Sequence, residues 1–294
     1  MTVTALTLKE LLRHPLPPIE EGDKHDHGRL LVVAGSRDLG GAPLLTGIAA
    51  MRAGAGRLQI ATVSSAAPQL AVAMPEAMVC GLAEAKDGGF AASAIDDIVE
   101  LASAVDAVVA GPGMMVSHTS DELAGRLCRC GAPLILDAGL LRVLPTSEAE
   151  AETAEASLIL LPHAGELAAL LECKEAEVES DPVAAGRQCA SRYRAVVLVK
   201  GSVSHVVTPD RATWKYEGGG PGLGVSGSGD ALAGVIGGLL ARGAGPLTAL
   251  LWGVWLHGEA GSALASKIAP IGFLAREISA EVPGILARAQ ASFE

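Results

Sequence analysis

Aromatic residues make up only 3% of this 294-residue chain. A core without them is built from Ala, Val, Leu and Ile packed closely, and the 36 glycines point the same way, to tight α/β layers. Basic residues are also scarce: 22 Lys and Arg stand against 33 Asp and Glu, a formal net charge of −11. That balance excludes a broad basic surface for nucleic acid, because neutralising phosphates takes clustered Lys and Arg. Any phosphate ligand must be held locally, as backbone N–H groups at a helix N-terminus can do. Cysteines are few, namely Cys80, Cys128, Cys130, Cys173 and Cys189. Their odd number and the lack of any C-x-x-C pair exclude a disulfide framework and a zinc site of the usual spacing. No apolar run approaches the roughly 18 residues that span a membrane, and the opening stretch lacks a basic region followed by an apolar one. The expectation is a cytoplasmic protein that contacts neither membrane nor nucleic acid.

What is present is an alternation. Residues 30–34, "LLVVA", read as a buried parallel strand running into a Gly-rich loop, and "APLLTGIAAMRAGAG" as the helix that follows, with Pro43 in its first turn and Gly54 and Gly56 at its exit. Further strands are expected in "RLQIATV", "AVVAGPG", "PLILDAG" and "ASLILLP", with helices in "SAIDDIVELASA", "TSDELAGRLCRCG" and from about Gly165. The stretch "AVVLVKGSVSHVVTPDRATWKYEGGG" predicts short antiparallel strands, and everything beyond residue 230 predicts helix. Strand and helix in turn imply one doubly wound α/β domain spanning residues 1–294. The acidic, low-complexity patch at residues 148–156 reads as a solvated helix or loop, not a domain linker.

The stretch with most chemical content is "GVSGSGDALAG", residues 224–234. Its small residues allow backbone to approach a ligand, and the apolar run after it supplies a helix whose first N–H groups form an anion site. Asp230 at that start has a plain reading as an N-cap. A cap does not require the small residues before it, whereas a base beside a bound phosphate does benefit from them, so Asp230 is read as the group that takes a proton from an attacking hydroxyl.

"GVSGSGDALAG" is similar to the anion-hole and catalytic-base motif of the ribokinase-like superfamily. Within it, "KHDHGRLLVVAGSRDLGGAPLLTGIAAMRAGAG", "AGPGM", "LLPHAGE", "VVLVKGSVSHVV", "LHGEAG" and "IGFLAREISAEVP" resemble, in order, segments of ADP-dependent NAD(P)H-hydrate dehydratases. The resemblance covers nearly the whole chain and implies a ribokinase-like three-layer fold, a central mostly parallel sheet flanked by helices. It implies a lyase that repairs the S epimer of hydrated NADH or NADPH while ADP is split to AMP and phosphate, with Mg²⁺ as cofactor. It assigns Asp230 as base and Gly227, Ser228 and Gly229 as the anion hole. Lys200, Gly201, Ser202, Val203, Ser204 and Gly229 would bind nucleotide, and Ala42, Gly113, His163 and Asp230 would line the hydrate. Glu166 is a candidate for holding Mg²⁺ through water, with a dipole-facing glutamate as its alternative. The relatives also imply a homotetramer, in which "LLWGVWLHG" would serve either an interface or the core, and a functional link to a separate NAD(P)H-hydrate epimerase, since only about 28 residues precede the first expected strand.

Two departures stand out. The family's D-A-D reads Asp137-Ala138-Gly139 here, and its T-P-H reads Leu161-Pro162-His163. Two other readings of the chain remain at this point: a kinase of the same superfamily acting on a hydroxymethylpyrimidine or thiazole alcohol, and a nucleotide-binding protein without catalysis.

Overall fold

Side chains along a strand alternate between faces, so a strand buried on both sides feeds two separate cores. In the computed structural model, which describes residues 3–18, 27–142, 144 and 157–292, this is how the first long strand behaves. Leu30 and Val32 enter one apolar cluster and Leu31 and Val33 another, all fully buried. The sheet is therefore the middle of three layers.

In chain order the strands are β1 (Thr4–Ala5), β2 (Arg29–Val33), β3 (Arg57–Val63), β4 (Ala77–Leu82), β5 (Ala107–Ala110), β6 (Leu134–Leu136), β7 (Leu158–Leu160), β8 (Val196–Val199), β9 (Ser204–Val207) and β10 (Thr213–Tyr216). They form one sheet in the order β1-β10-β9-β8-β7-β6-β5-β2-β3-β4. All neighbours from β4 to β8 pair in parallel, and only β9 runs antiparallel to both of its neighbours. The expected antiparallel addition thus lies at β8 to β10. Two elements were not legible as strands: β4, an edge strand without a fully buried face, and β1, which pairs with β10 and ties Thr4 and Ala5 to the edge of the sheet. The acidic patch at residues 148–156 lies outside the described residues.

Helices α1 (Leu8–Leu11), α2 (Gly41–Arg52), α3 (Ala67–Ala73), α4 (Ile95–Ser103), α5 (His118–Leu127), α6 (Ala164–Leu171), α7 (Glu175–Ser180), α8 (Pro182–Tyr193), α9 (Ser228–Ala241), α10 (Pro246–Lys267) and α11 (Ala275–Ala291) cover the two faces. Residues of α2, α9, α10 and α11 enter the first cluster, and residues of α4, α5, α6 and α8 the second. Gly234 and Gly238, one turn apart on α9, meet the carbonyls of Thr46 and Ala50 on α2 so closely that a Cβ at either would collide. The glycines let these two helices cross in backbone contact, which seats the start of α9 beside the start of α2. Trp252 and Trp255 of the "LLWGVWLHG" stretch are 1% and 8% exposed, so this stretch is core.

The strand order reverses between β2 and β5, whose successors run outward in opposite directions. In open α/β sheets such a switch point, at the C-terminal ends of the strands, is where ligands are held.

Candidate active site

Asp137, His163 and Lys200 follow β6, β7 and β8, so the parallel strands deliver all three to the C-terminal edge of the sheet. His163 and Lys200 are joined there by a bridge, with the Lys200 N–H donating to Pro162 O at 2.9 Å. The start of α9 reaches the same place. Gly227 caps it at φ +86°, a left-handed conformation that glycine adopts without strain, and a Cβ there would lie 2.5 Å from Leu45 Cδ1. The Ser228 N–H closes the turn by donating to Val225 O at 3.1 Å. That donor is spent inside the protein, which removes the Ser228 amide, and that amide alone, from the expected set of Gly227, Ser228 and Gly229. The open amides of the first turn are those of Gly229 and Asp230, which have no acceptor among the described residues.

Asp230 is the third residue of α9, not its cap, and no side-chain capping bond forms. Burial, and then the negative charge of Asp137, push its pKa up from 3.8 to about 6 against the downward pull of Lys200. A carboxylate so placed is basic enough to take a proton near neutral pH.

Lys200 Nζ donates to Asp137 Oδ1 at 2.7 Å and stands 3.8 Å from Glu166 Oε2. The Asp137 side chain is 3% exposed and accepts a second bond from the Ala138 N–H at 2.9 Å. Lys200 is therefore the counterion of a buried carboxylate, not a free strand-end lysine. A Cβ at Gly229 would lie 3.8 Å from Lys200 Nζ and 3.9 Å from Asp137 Oδ2, so the helix start, the lysine and the aspartate form one cluster.

His163 caps α6. Its Nδ1 accepts from the N–H of Gly165 at 3.1 Å, and the Glu166 carboxylate accepts from the His163 N–H at 2.9 Å. With Nδ1 accepting, the proton sits on Nε2, which faces Glu166 Oε1 at 3.4 Å. Glu166 is thus bonded into a capping box beside Lys200, the structural alternative to a metal role. Among the described residues no group of three or more His, Cys, Asp or Glu side chains is placed to share an ion. The site does not fit a magnesium ion held by the protein alone.

In front of this edge lies a cavity of about 860 Å³. His163, Lys200, Gly201, Ser202 and Ser204 line it from the sheet, and Ser228 and Gly229 from α9. Val203 is not part of its wall. Ala42 and Gly113 lie outside it, one after β2 and one after β5, at the switch point; a Cβ at Gly113 would come within 2.6 Å of that of Ala42. The two departures also have a structural account. Gly139 packs under the Met114 carbonyl with no room for a side chain, and Leu161 is fully buried in the core.

Among the wall residues that received no role from sequence are two with polar side chains. Tyr216 on β10 donates its O–H to Glu259 Oε1 at 2.9 Å, and His257 on α10 reaches Ser228. The quoted "LHGEAG" carries His257 and Glu259, but nothing in a sequence says which distant residue they meet.

The family described as NAD(P)H-hydrate dehydratase matches residues 30–284. The chain is 48% identical to the ADP-dependent (S)-NAD(P)H-hydrate dehydratase of Xanthomonas campestris pv. campestris, over 98% of this chain and 96% of the relative. It resembles a crystal structure of the ADP/ATP-dependent NAD(P)H-hydrate dehydratase of Bacillus subtilis co-crystallised with ATP and Mg²⁺, with TM-score 0.82 and 27% identity over 98% and 99% of the two chains. A ribokinase-like superfamily protein of Enterococcus faecalis, 21% identical over 98% of this chain and 96% of its own, shares the fold with TM-score 0.80. With one family matching nearly from the first long strand to the last helix, and a relative almost half identical along its whole length, the chain belongs to the NAD(P)H-hydrate dehydratase family.

Proposed function

We propose that this protein dehydrates the S epimer of hydrated NADH or NADPH at the expense of ADP, returning the reduced dinucleotide with release of AMP and phosphate. The observation that carries the reading is the juxtaposition of a half-buried base, Asp230, with the open N–H groups of Gly229 and Asp230 and with the Lys200 ammonium. The X. campestris relative is named for this activity, and the B. subtilis enzyme is ADP/ATP-dependent.

Hydroxide is a poor leaving group, so the ring hydroxyl is phosphorylated first. Its oxygen attacks the β-phosphorus of ADP, its proton passes to Asp230, and the bond to AMP breaks. The open amides and Lys200 hold the charge of the moving phosphoryl group. The neighbouring ring nitrogen then expels phosphate, and loss of a proton from the adjacent ring carbon restores the double bond. In this reading Ala42, Gly113 and His163 contact the hydrate, and Gly201 to Ser204 the nucleotide, Val203 through backbone alone. Glu166 is the carboxylate that would stand nearest a hydrated magnesium ion bound by the diphosphate, and the charge neutralisation such an ion would supply would add to that of Lys200. An S-specific enzyme leaves the R epimer untouched, so an epimerase activity completes the repair. A homotetramer in solution and a cytoplasmic setting belong to the same reading; among the described residues no helix is long and apolar enough to cross a membrane.

The test is the product balance. One AMP and one phosphate are expected per dihydronicotinamide formed, whereas a phosphorylated vitamin precursor that accumulates, with the hydrate left unchanged, sinks the reading in favour of a kinase.

A pH profile follows from Asp230. The active form is the carboxylate, so kcat/KM is expected to rise with pH through an apparent pKa of about 6 and then level off. Asp137→Asn removes a charge that raises that pKa, so the acid limb should move to lower pH. A limb that stays in place would show that Asp230 is not the titrating base.

A further inference from the structure

His257 is buried in the long helix α10, and both groups within its reach belong to the residue after the α9 cap. Its Nε2 lies 3.1 Å from the Ser228 carbonyl oxygen and 3.1 Å from Ser228 Oγ. A carbonyl only accepts, so Nε2 carries the hydrogen. The hydroxyl oxygen at the same distance is then a second acceptor of that hydrogen, and its own O–H must point elsewhere. Ser228 and His257 both line the cavity, and the cavity is where an outward O–H finds space. Burial pulls His257 down to about 4, so the ring is neutral at physiological pH, with a single N–H fixed on Nε2 by the carbonyl.

We propose that the Ser228 hydroxyl is an anion-hole donor aimed into the cavity, and that His257 is the positioning residue that aims it. This rests on the phosphoryl-transfer reading above and adds to it. The Ser228 amide is consumed by Val225 O, so the residue contributes to the site through its side chain, beside the amides of Gly229 and Asp230. The arrangement also explains why a histidine is kept in the apolar interior of α10: it ties α10 to the first turn of α9 and leaves the serine only one useful direction for its proton.

The experiment is steady-state kinetics with hydrated NADH and ADP, together with calorimetric ADP binding and thermal melting. Ser228→Ala fits the helix position and is expected to lower kcat about 10- to 100-fold, the effect of losing one donor to developing charge, with a smaller change in KM for ADP and an unchanged melting temperature. His257→Leu should lose a similar factor, and adding Ser228→Ala to it should cost little more, because both remove the same oriented O–H. His257→Gln carries an amide N–H in place of Nε2 and should recover most of what His257→Leu loses. An unchanged kcat in Ser228→Ala overturns the inference, as do independent, multiplying losses in the double variant or a glutamine no better than leucine. If His257→Leu fails to fold, Ser228→Ala decides alone. Failure of the underlying reading looks different: the wild-type protein itself would leave the hydrate unchanged or fail to bind ADP.

Discussion

Asp230→Asn is expected to reduce turnover by about 10³-fold or more while leaving ADP binding and the fold intact, and to make the protein more stable at neutral pH. The amide matches the carboxylate in shape but cannot take the hydroxyl proton, so the loss should fall on kcat. The gain in stability follows from the same environment. A carboxyl whose pKa in the folded state, about 6, exceeds its ordinary 3.8 favours folding most when it is protonated, so its stabilising share is complete below about pH 4 and is lost as pH rises through about 6. At neutral pH the ionised Asp230 therefore works against the fold, by at most about 3 kcal/mol and less where solvent screens it. Replacing it removes that cost. Kinetics beside chemical denaturation at neutral pH check both halves; a variant that turns over normally refutes the base, and one that is destabilised refutes the electrostatic account.

Lys200→Met carries the second large effect, of opposite sign on stability. Asp137 is buried, and Lys200 is its charged partner at 2.7 Å. Removing one member of such a pair leaves an uncompensated charge, at a cost of about 3 kcal/mol given that the lysine keeps some contact with water. Turnover should collapse with it, since the phosphate contact proposed for Lys200 goes too. The double variant Lys200→Met, Asp137→Asn should regain much of the stability, because an asparagine oxygen still accepts from the Ala138 N–H and the buried charge of residue 137 is gone. It should not regain activity. Urea denaturation separates the outcomes: a single variant as stable as wild type would mean that the pair is solvated, contrary to its geometry.

What the sequence made legible is what local pattern encodes. Continuous apolar runs such as "LLVVA" and "AVVLV" announce strands buried on both faces, and "GVSGSGD" before an apolar helix announces an anion-binding start. Edge elements escaped for a physical reason: β4 has no fully buried face to impose a period, and β1 is only two residues long. Within the site, Asp230, His163 and Lys200 could be named one at a time, but their partnerships could not. Lys200 meets Asp137 across 63 residues and Ser228 meets His257 across 29, distances that only the stacking of strands and helices closes. Backbone detail was equally out of reach, since whether Ser228 or Asp230 offers a free amide depends on how one turn closes. Gly139 shows the converse. Its departure from the family pattern looked like a lost acid, and the packing under Met114 shows a position that admits no side chain at all.

The central claim is that Asp230, Lys200 and the start of α9 serve the ADP-dependent removal of water from a hydrated dinucleotide. The most direct measurement adds the purified protein and Mg²⁺ to separated epimers of hydrated NADH, with ADP or ATP, and follows the dihydronicotinamide absorbance band. The account predicts that the band returns from the S epimer with ADP and stays absent from the R epimer. No return from the S epimer with either nucleotide would contradict it.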